Sequence, residues 1–205
     1  ANSTGGSNTA LGNYALYSNT TASNNTAVGY QALYSQTTPA YPNTAVGFQA
    51  GYGITTGYGN TLIGHTAGYS LTSGSGNTFV GPSNSAASNP SGYYITTGSG
   101  NTILGGYNGN QGGLDIRTSS NNIVLSDGAG NPRSWMSGGQ WVWIASNNAS
   151  NTLNWDASEF YPTPDNTIKL GYPSYRWTTV YATTGTINTS DANQKQDIAD
   201  LDEAE

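Results

Sequence analysis

Polar and apolar positions alternate along the first half of the chain in one recurring phrase: Asn-Thr, two apolar residues, then Gly. Copies begin at Asn8, Asn25, Asn43, Asn60, Asn77 and Asn101, spaced by 17, 18, 17, 17 and 24 residues. A degenerate copy, Asn122-Ile123-Val124-Leu125-Ser126, follows. Several copies share a lead-in, as in 54–59 (ITTGYG), 71–76 (LTSGSG) and 95–100 (ITTGSG). A period near 17 is too short for a helical hairpin and matches one coil of a β-solenoid. Each copy offers a short strand with aliphatic residues, then glycine where the chain must turn with positive φ. Stacked coils pair their strands, and Asn and Thr at equivalent positions form hydrogen-bonded ladders between rungs. The lengthened interval contains Pro82 and Pro90, so 82–94 reads as an insertion loop.

The texture changes after about residue 114, where charges appear. Four of the five tryptophans lie between Trp135 and Trp155. Trp141-Val142-Trp143-Ile144 alternates weakly, which predicts a strand buried on both faces. Residues 165–171 and 175–181 read as two further strands. Asp191 with Gln194 forms a capping-box pattern ahead of Ile198 and Leu201, which predicts a short helix over 191–205. The expected organisation is a repeat region at 1–125, a β-rich shaft or tip at 126–189 and a C-terminal segment at 190–205.

Composition explains why the phrase must repeat. Gly, Ser, Thr and Asn supply 102 of the 205 residues, whereas Leu, Ile, Val and Phe supply 30. A single chain with so few apolar residues builds a core only by stacking identical units, and neighbouring chains add to it. Residues 1–114 carry no Asp, Glu, Lys or Arg. The net charge of −6 resides mostly in 190–205, where Lys195 faces six acids. No basic face exists to hold nucleic acid. There is no cysteine, and no apolar run of membrane-spanning length. The chain starts at Ala1 without a visible signal peptide, which reads as a piece whose attachment region lies upstream.

Two stretches carry a family likeness. The phrase 25–32 (NTAVGYQA) resembles the left-handed β-roll repeats of trimeric adhesin heads and phage tail fibres, and the likeness spans roughly residues 5–125. Residues 165–205 resemble the junction between a tail fibre and a C-terminal intramolecular chaperone of the endosialidase type. The matching features are Leu170-Gly171, Arg176-Trp177, Val180-Tyr181 and the run Thr189-Ser190-Asp191-Ala192-Asn193-Gln194-Lys195. The resemblance implies an all-β, fibrous, parallel homotrimer of β-rolls leading into an interwoven β-rich tip and a short helical end. It implies autocleavage of the Thr189–Ser190 bond, with Ser190 as nucleophile and Lys195 as general base. A lysine activates a serine only when neutral, which burial arranges. Five residues on a helix separate two side chains by about 140°, so the dyad needs a bend or a neighbouring chain. Only the stretch 190–205 follows the bond, too little for a complete protease site, and Asn193 and Gln194 are neutral where family members often carry a basic residue.

Other chemistry is thinly provided. Polysaccharide hydrolysis, as in a depolymerising tailspike, uses two carboxylates. Before the C-terminal segment only Asp115, Asp127, Asp156, Glu159 and Asp165 are candidates. Asp127 precedes Gly128 as a turn residue does, and Asp156 and Glu159 stand at helix-start spacing. The Gly-x-Gly-Asn-Thr turns lack the lysine of a phosphate loop, since none precedes Lys169. His65 is the sole histidine and fills the slot of Tyr30 and Phe48, which predicts a packing or surface-ring role; three copies at a trimer axis would be its only route to a metal. No cofactor is expected. Fifteen tyrosines and five tryptophans on a nearly uncharged scaffold suit sugar recognition. Trp135, Trp141, Trp143, Trp155, Tyr93 and Tyr94 are the expected binding residues, while most repeat tyrosines are expected to pack between coils. The expected partners are two further copies of the chain, an upstream fibre or tail protein and a bacterial surface glycan, and the expected location is the tail fibre of a virion. The alternatives are a cell-anchored trimeric adhesin head and a depolymerising tailspike.

Overall fold

The computed structural model describes residues 4–37, 42–82, 90–144, 152–155 and 160–163. Strands expected at 165–171 and 175–181, the expected helix, the Thr189–Ser190 bond and Lys195 lie outside these residues. Each repeat forms one three-residue strand: β1 (Thr9–Leu11), β2 (Thr26–Val28), β3 (Thr44–Val46), β4 (Thr61–Ile63), β5 (Thr78–Val80) and β6 (Thr102–Leu104). A two-stranded hairpin of β7 (Asn110–Gln111) and β8 (Leu114–Asp115) interrupts the series. Then come β9 (Ile123–Ser126), β10 (Pro132–Ser137), β11 (Gln140–Ile144), β12 (Thr152–Trp155) and β13 (Phe160–Thr163). Among the described residues there is no helix.

One 11-stranded sheet holds all but the hairpin, in the order β1-β2-β3-β4-β5-β6-β9-β10-β11-β12-β13. From β1 to β9 every pairing is parallel and in repeat register, Thr on Thr as far as Thr102, which pairs with Ile123, and core residue on core residue throughout. This is a β-solenoid. From β9 to β13 the same sheet continues as an antiparallel meander, without a break at residues 125–126. The coils are stitched on their other sides too. Leu33 N–H donates to Ala50 O at 3.0 Å, and Gly51 N–H to Ala67 O at 2.9 Å. Thr72 N–H donates to Thr96 O at 2.8 Å, and Thr96 N–H to Arg117 O at 2.9 Å. Backbone groups that a lone coil would leave bare are therefore satisfied by its neighbours, which is why the unit must repeat.

Strand alternation places the middle residue of each triplet inward. The column Ala27, Ala45, Leu62, Phe79, Ile103 and Val124 is fully buried. A second core column runs Ile54, Leu71, Ile95 and Ile116. Volume is exchanged between the strand and the following turn. Where the strands carry Ala27 and Ala45, Leu33 fills the core from the turn, although its φ of 50° is left-handed and costs about 1–2 kcal/mol. The equivalent positions after Ala45, Leu62 and Phe79 are Gly51, Gly68 and Gly92; a Cβ on Gly51 would lie 2.9 Å from both Leu33 Cδ2 and Leu62 Cδ1, so the space beside Ala45 is taken by leucines of the adjoining coils. A Cβ on Gly92 would sit 2.9 Å from Phe79 Cγ, and φ there is +65°. Gly92→Ala is therefore expected to destabilise the fold by about 2–4 kcal/mol, with Phe79→Leu recovering about 1–2 kcal/mol of it. A denaturant double-mutant cycle measures this; purely additive losses would refute the exchange.

A buried asparagine ladder closes the coils. The backbone N–H groups of Asn25, Asn43, Asn60, Asn77, Asn101 and Asn122 each donate to the Oδ1 of the preceding Asn at 2.8–3.0 Å. The amides also donate across the turn, Asn43 to Gly57 O at 2.9 Å and Asn60 to Gly74 O at 3.0 Å. At the 18-residue interval a polar residue enters the core. Gln36, fully buried, donates to Asn25 Oδ1 and accepts from Asn43 Nδ2, both at 3.2 Å. It occupies the slot of Ile54 and Leu71, and it bridges the rung where the extra residue draws the two asparagine amides apart.

The expected tip strand is corrected in one respect. Trp141-Val142-Trp143-Ile144 is not buried on both faces, because Val142 is buried whereas Trp143 is 62% exposed. The antiparallel pairing gives the strand one inner and one outer face, as in any half-covered sheet. Asp127 is a turn residue as expected. Its Oδ1 accepts from Ala129 N at 3.0 Å and Asn131 N at 2.9 Å, and its Oδ2 pairs with Arg133. Burial alone would raise this carboxyl, but hydrogen bonds from Asn131 and Arg133 prevail and hold it down at about 2. A depressed carboxylate stabilises the fold above its unfolded pKa of about 3.9, and that contribution is lost as pH falls towards about 2. Asp127→Asn should cost about 1–2 kcal/mol at pH 7 and leave a shallower acid limb between pH 4 and 2; an unchanged limb would contradict this.

Candidate functional site

Three surfaces present chemistry. The first is the outer face of the sheet. Register places Leu11, Val28, Val46, Ile63, Val80, Leu104 and Leu125 in one column, continued across the meander by Ser134 and Trp143. Leu11, Ile63, Leu104, Leu125 and Trp143 are all exposed. Beside it runs a threonine column, Thr9 to Thr102, which continues in register through Ile123, Met136 and Trp141 to the backbone position of Trp155. Both columns are without charge. Exposed apolar side chains that recur from coil to coil in this way form a continuous strip along the sheet rather than scattered surface residues.

The second is a stack of five tyrosines. Tyr17, Tyr34, Tyr52, Tyr69 and Tyr93 lie with successive centroids 5.0–5.1 Å apart and planes within 14°. The stacking distance follows from the rung spacing of paired strands. Each ring packs against that of the next coil, as the sequence suggested, along the outer side of the stack, and among the described residues Tyr107 is the one fully buried tyrosine, its hydroxyl donating to Leu114 O at 2.7 Å. Burial first, then the neighbouring phenols, push the Tyr34 hydroxyl above its ordinary value. A shorter column, Tyr30, Phe48 and His65, runs parallel to it, with His65 stacked 4.9 Å from Phe48. His65 thus continues an aromatic row at the surface, half-buried.

The third is a groove on the flank of the later coils, with a volume of ≈ 480 Å³, lined by Ser70, Tyr94, Thr96, Asp115, Arg117 and Thr118. Tyr94 is 49% exposed and stands edge-on to Tyr93, centroids 4.9 Å apart at 87°. Asp115, at the end of β8, is held by Arg117 through Nε at 3.0 Å and Nη2 at 2.7 Å. Those hydrogen bonds hold the Asp115 carboxyl below the usual carboxylate range.

The expected binding residues therefore divide. Trp135 lies in register with Val124 and Val142 on the inner face, packed against the core. Trp141 is half-buried and Trp143 exposed, both on the outer face. Trp155 pairs with Trp141 in register. Tyr93 ends the tyrosine stack and Tyr94 lines the groove. Ser190 and Lys195 lie outside the described residues. Arg117 was not singled out from the sequence, yet Asp115 and Arg117 are the first two charges in the chain, two residues apart on a strand end, and that was the available signal. Among the described residues no group of three or more His, Cys, Asp or Glu could hold a metal, and no helix is long and apolar enough to cross a membrane. Compared with family models, curated proteins and solved structures, the chain matches none.

Proposed function

We propose that the chain is part of a phage tail fibre, a parallel homotrimer of left-handed β-rolls that attaches a virion to a bacterial surface glycan. The observation that carries this reading is the uncharged outer face of the sheet, along which Leu11, Ile63, Leu104, Leu125 and Trp143 are exposed in one register column. A threefold arrangement covers that face on every copy at once, and its rungs are identical from chain to chain. Binding is favoured over hydrolysis because Asp115 and Asp127, the carboxylates among the described residues, are each paired with an arginine. The tail fibre is favoured over a cell-anchored adhesin head by the sequence of 165–205, with Arg176-Trp177 ahead of Thr189-Ser190 and Lys195.

Maturation by cleavage belongs to the same reading. A neutral Lys195 Nζ takes the Ser190 hydroxyl proton as Oγ attacks the Thr189 carbonyl carbon. The C–N bond breaks as the Ser190 amine receives the proton, and water hydrolyses the resulting ester to a Thr189 carboxylate and a free Ser190. Intact mass spectrometry of the full-length product tests this step. The expected result is a chain ending at Thr189, abolished by Ser190→Ala; an uncleaved wild-type mass refutes it.

A further inference from the structure

We propose that the groove between Tyr94 and the Asp115–Arg117 pair binds one ring of a neutral saccharide, with Tyr94 against the face of the sugar and the ion pair bonding two adjacent hydroxyls. The inference rests on the reading that the protein recognises a glycan, and it adds the place and the chemical class.

The groove is built on fixed backbone. Ser70 N–H donates to Tyr93 O at 3.1 Å, Tyr94 N–H to Asn108 O at 2.8 Å and Thr96 N–H to Arg117 O at 2.9 Å. Three successive coils are thus locked together beneath it, and the ligand need not order the site. The edge of Tyr93 sets the Tyr94 ring, and Tyr93 is itself held by the stack that begins at Tyr17. An aromatic ring of fixed orientation, open on its free side, is the surface on which the C–H face of a pyranose packs.

Charge decides the class. Residues 1–114 have none, so the field in the groove is that of Asp115 and Arg117. Bonded to each other, they sum to zero and attract neither an acidic nor a basic ligand. An acidic sugar would bring its carboxylate against Asp115 while Arg117 is already engaged. Both side chains remain about half exposed, at 48% and 50%. Asp115 Oδ1 accepts from the Arg117 backbone N–H and Nε and Oδ2 from Nη2, which leaves one lone-pair site on Oδ2 and the Nη1 donors of the guanidinium. One hydroxyl donating to Asp115 and its neighbour accepting from Arg117 match that fork, and the hydroxyls of Ser70, Thr96 and Thr118 extend it along the groove. A purely apolar ligand would strip water from the pair without replacing those bonds.

The test is an array of neutral hexose and N-acetylhexosamine oligosaccharides printed beside sialylated and uronate-containing ones, probed with the full chain. Three variants accompany it: Tyr94→Ala, the double change Asp115→Ala with Arg117→Ala, which leaves no unpaired charge, and Trp143→Ala on the outer face. Thermal unfolding confirms that each folds. The expected result is binding to neutral oligosaccharides that weakens at least about tenfold in the first two variants and is retained in the third. Neutral binding unchanged in the groove variants overturns the proposal and leaves the glycan reading standing. Binding to acidic oligosaccharides alone also overturns it. Binding to no oligosaccharide at all overturns both.

Discussion

Replacing Gly47 by alanine is expected to cost the fold about 3–5 kcal/mol, enough to leave much of the protein unfolded or insoluble. Gly47 has φ of +142°, a region reserved for glycine, and follows strand β3 directly. An added Cβ would fall inside contact distance of the carbonyl of Gly64 in the next coil, which is backbone and cannot rotate away. Gly29 and Gly64 stand in the same column with the same conflict, so the rungs above and below leave no room for compensation. Gly59 supplies the contrast. Its φ is +66°, but an added Cβ would meet nothing nearer than Gly76 N at 3.8 Å. Gly59→Ala should cost only the left-handed term, about 1–2 kcal/mol. Urea midpoints of the two variants decide the matter: equal losses would show that the stacked glycine column is not what sets the coil spacing.

Asn60→Ala is expected to be comparably severe, at about 3–5 kcal/mol. Asn60 Oδ1 accepts from both the backbone N and Nδ2 of Asn77, each at 3.0 Å, and its Nδ2 donates to Asn43 Oδ1 at 2.9 Å and Gly74 O at 3.0 Å. All of these groups are buried, so truncation strands partners on both neighbouring rungs, and water has no route to replace the amide. Asn60→Asp should be at least as damaging at neutral pH, because it removes the donor and buries a charge. Gln36→Leu is the informative companion. It restores the residue type found at Leu71, but removes the bridge between Asn25 and Asn43, and a net loss of about 1–2 kcal/mol is expected. Denaturant unfolding of the three variants measures these differences, and an Asn60→Ala protein of wild-type stability would remove the ladder from the account.

The periodic part of this architecture was legible because the same constraint is written at each coil. Asn, Thr and Gly recur at fixed offsets, and the observed register pairs those copies rung on rung from β1 to β9. What was not legible is what one copy does differently from its sisters. Gln36 carries no signal of its own in the sequence, since its bridging role exists only once Asn25 and Asn43 are brought together. The exchange between Leu33 and Gly68 is likewise a property of stacked coils, not of either segment. In the meander, alternation separates Trp141 and Trp143 from Val142 but does not say which set faces inward. Pairing of β10 with β9 decides that, and it carries Trp135 to the core side. The groove was missed for a related reason: Ser70, Tyr94 and Arg117 are distant in sequence and become neighbours only because coils stack.

In the proposed trimer, other copies of the same chain cover the outer face from Leu11 to Trp143. Native mass spectrometry of the full chain at micromolar concentration tests it most directly. Three chains of 21.3 kDa, or three shortened at Thr189, are expected, with dissociation on changing Ile63 and Leu104 together to aspartate. A monomer that remains folded and soluble with that face bare would contradict the account.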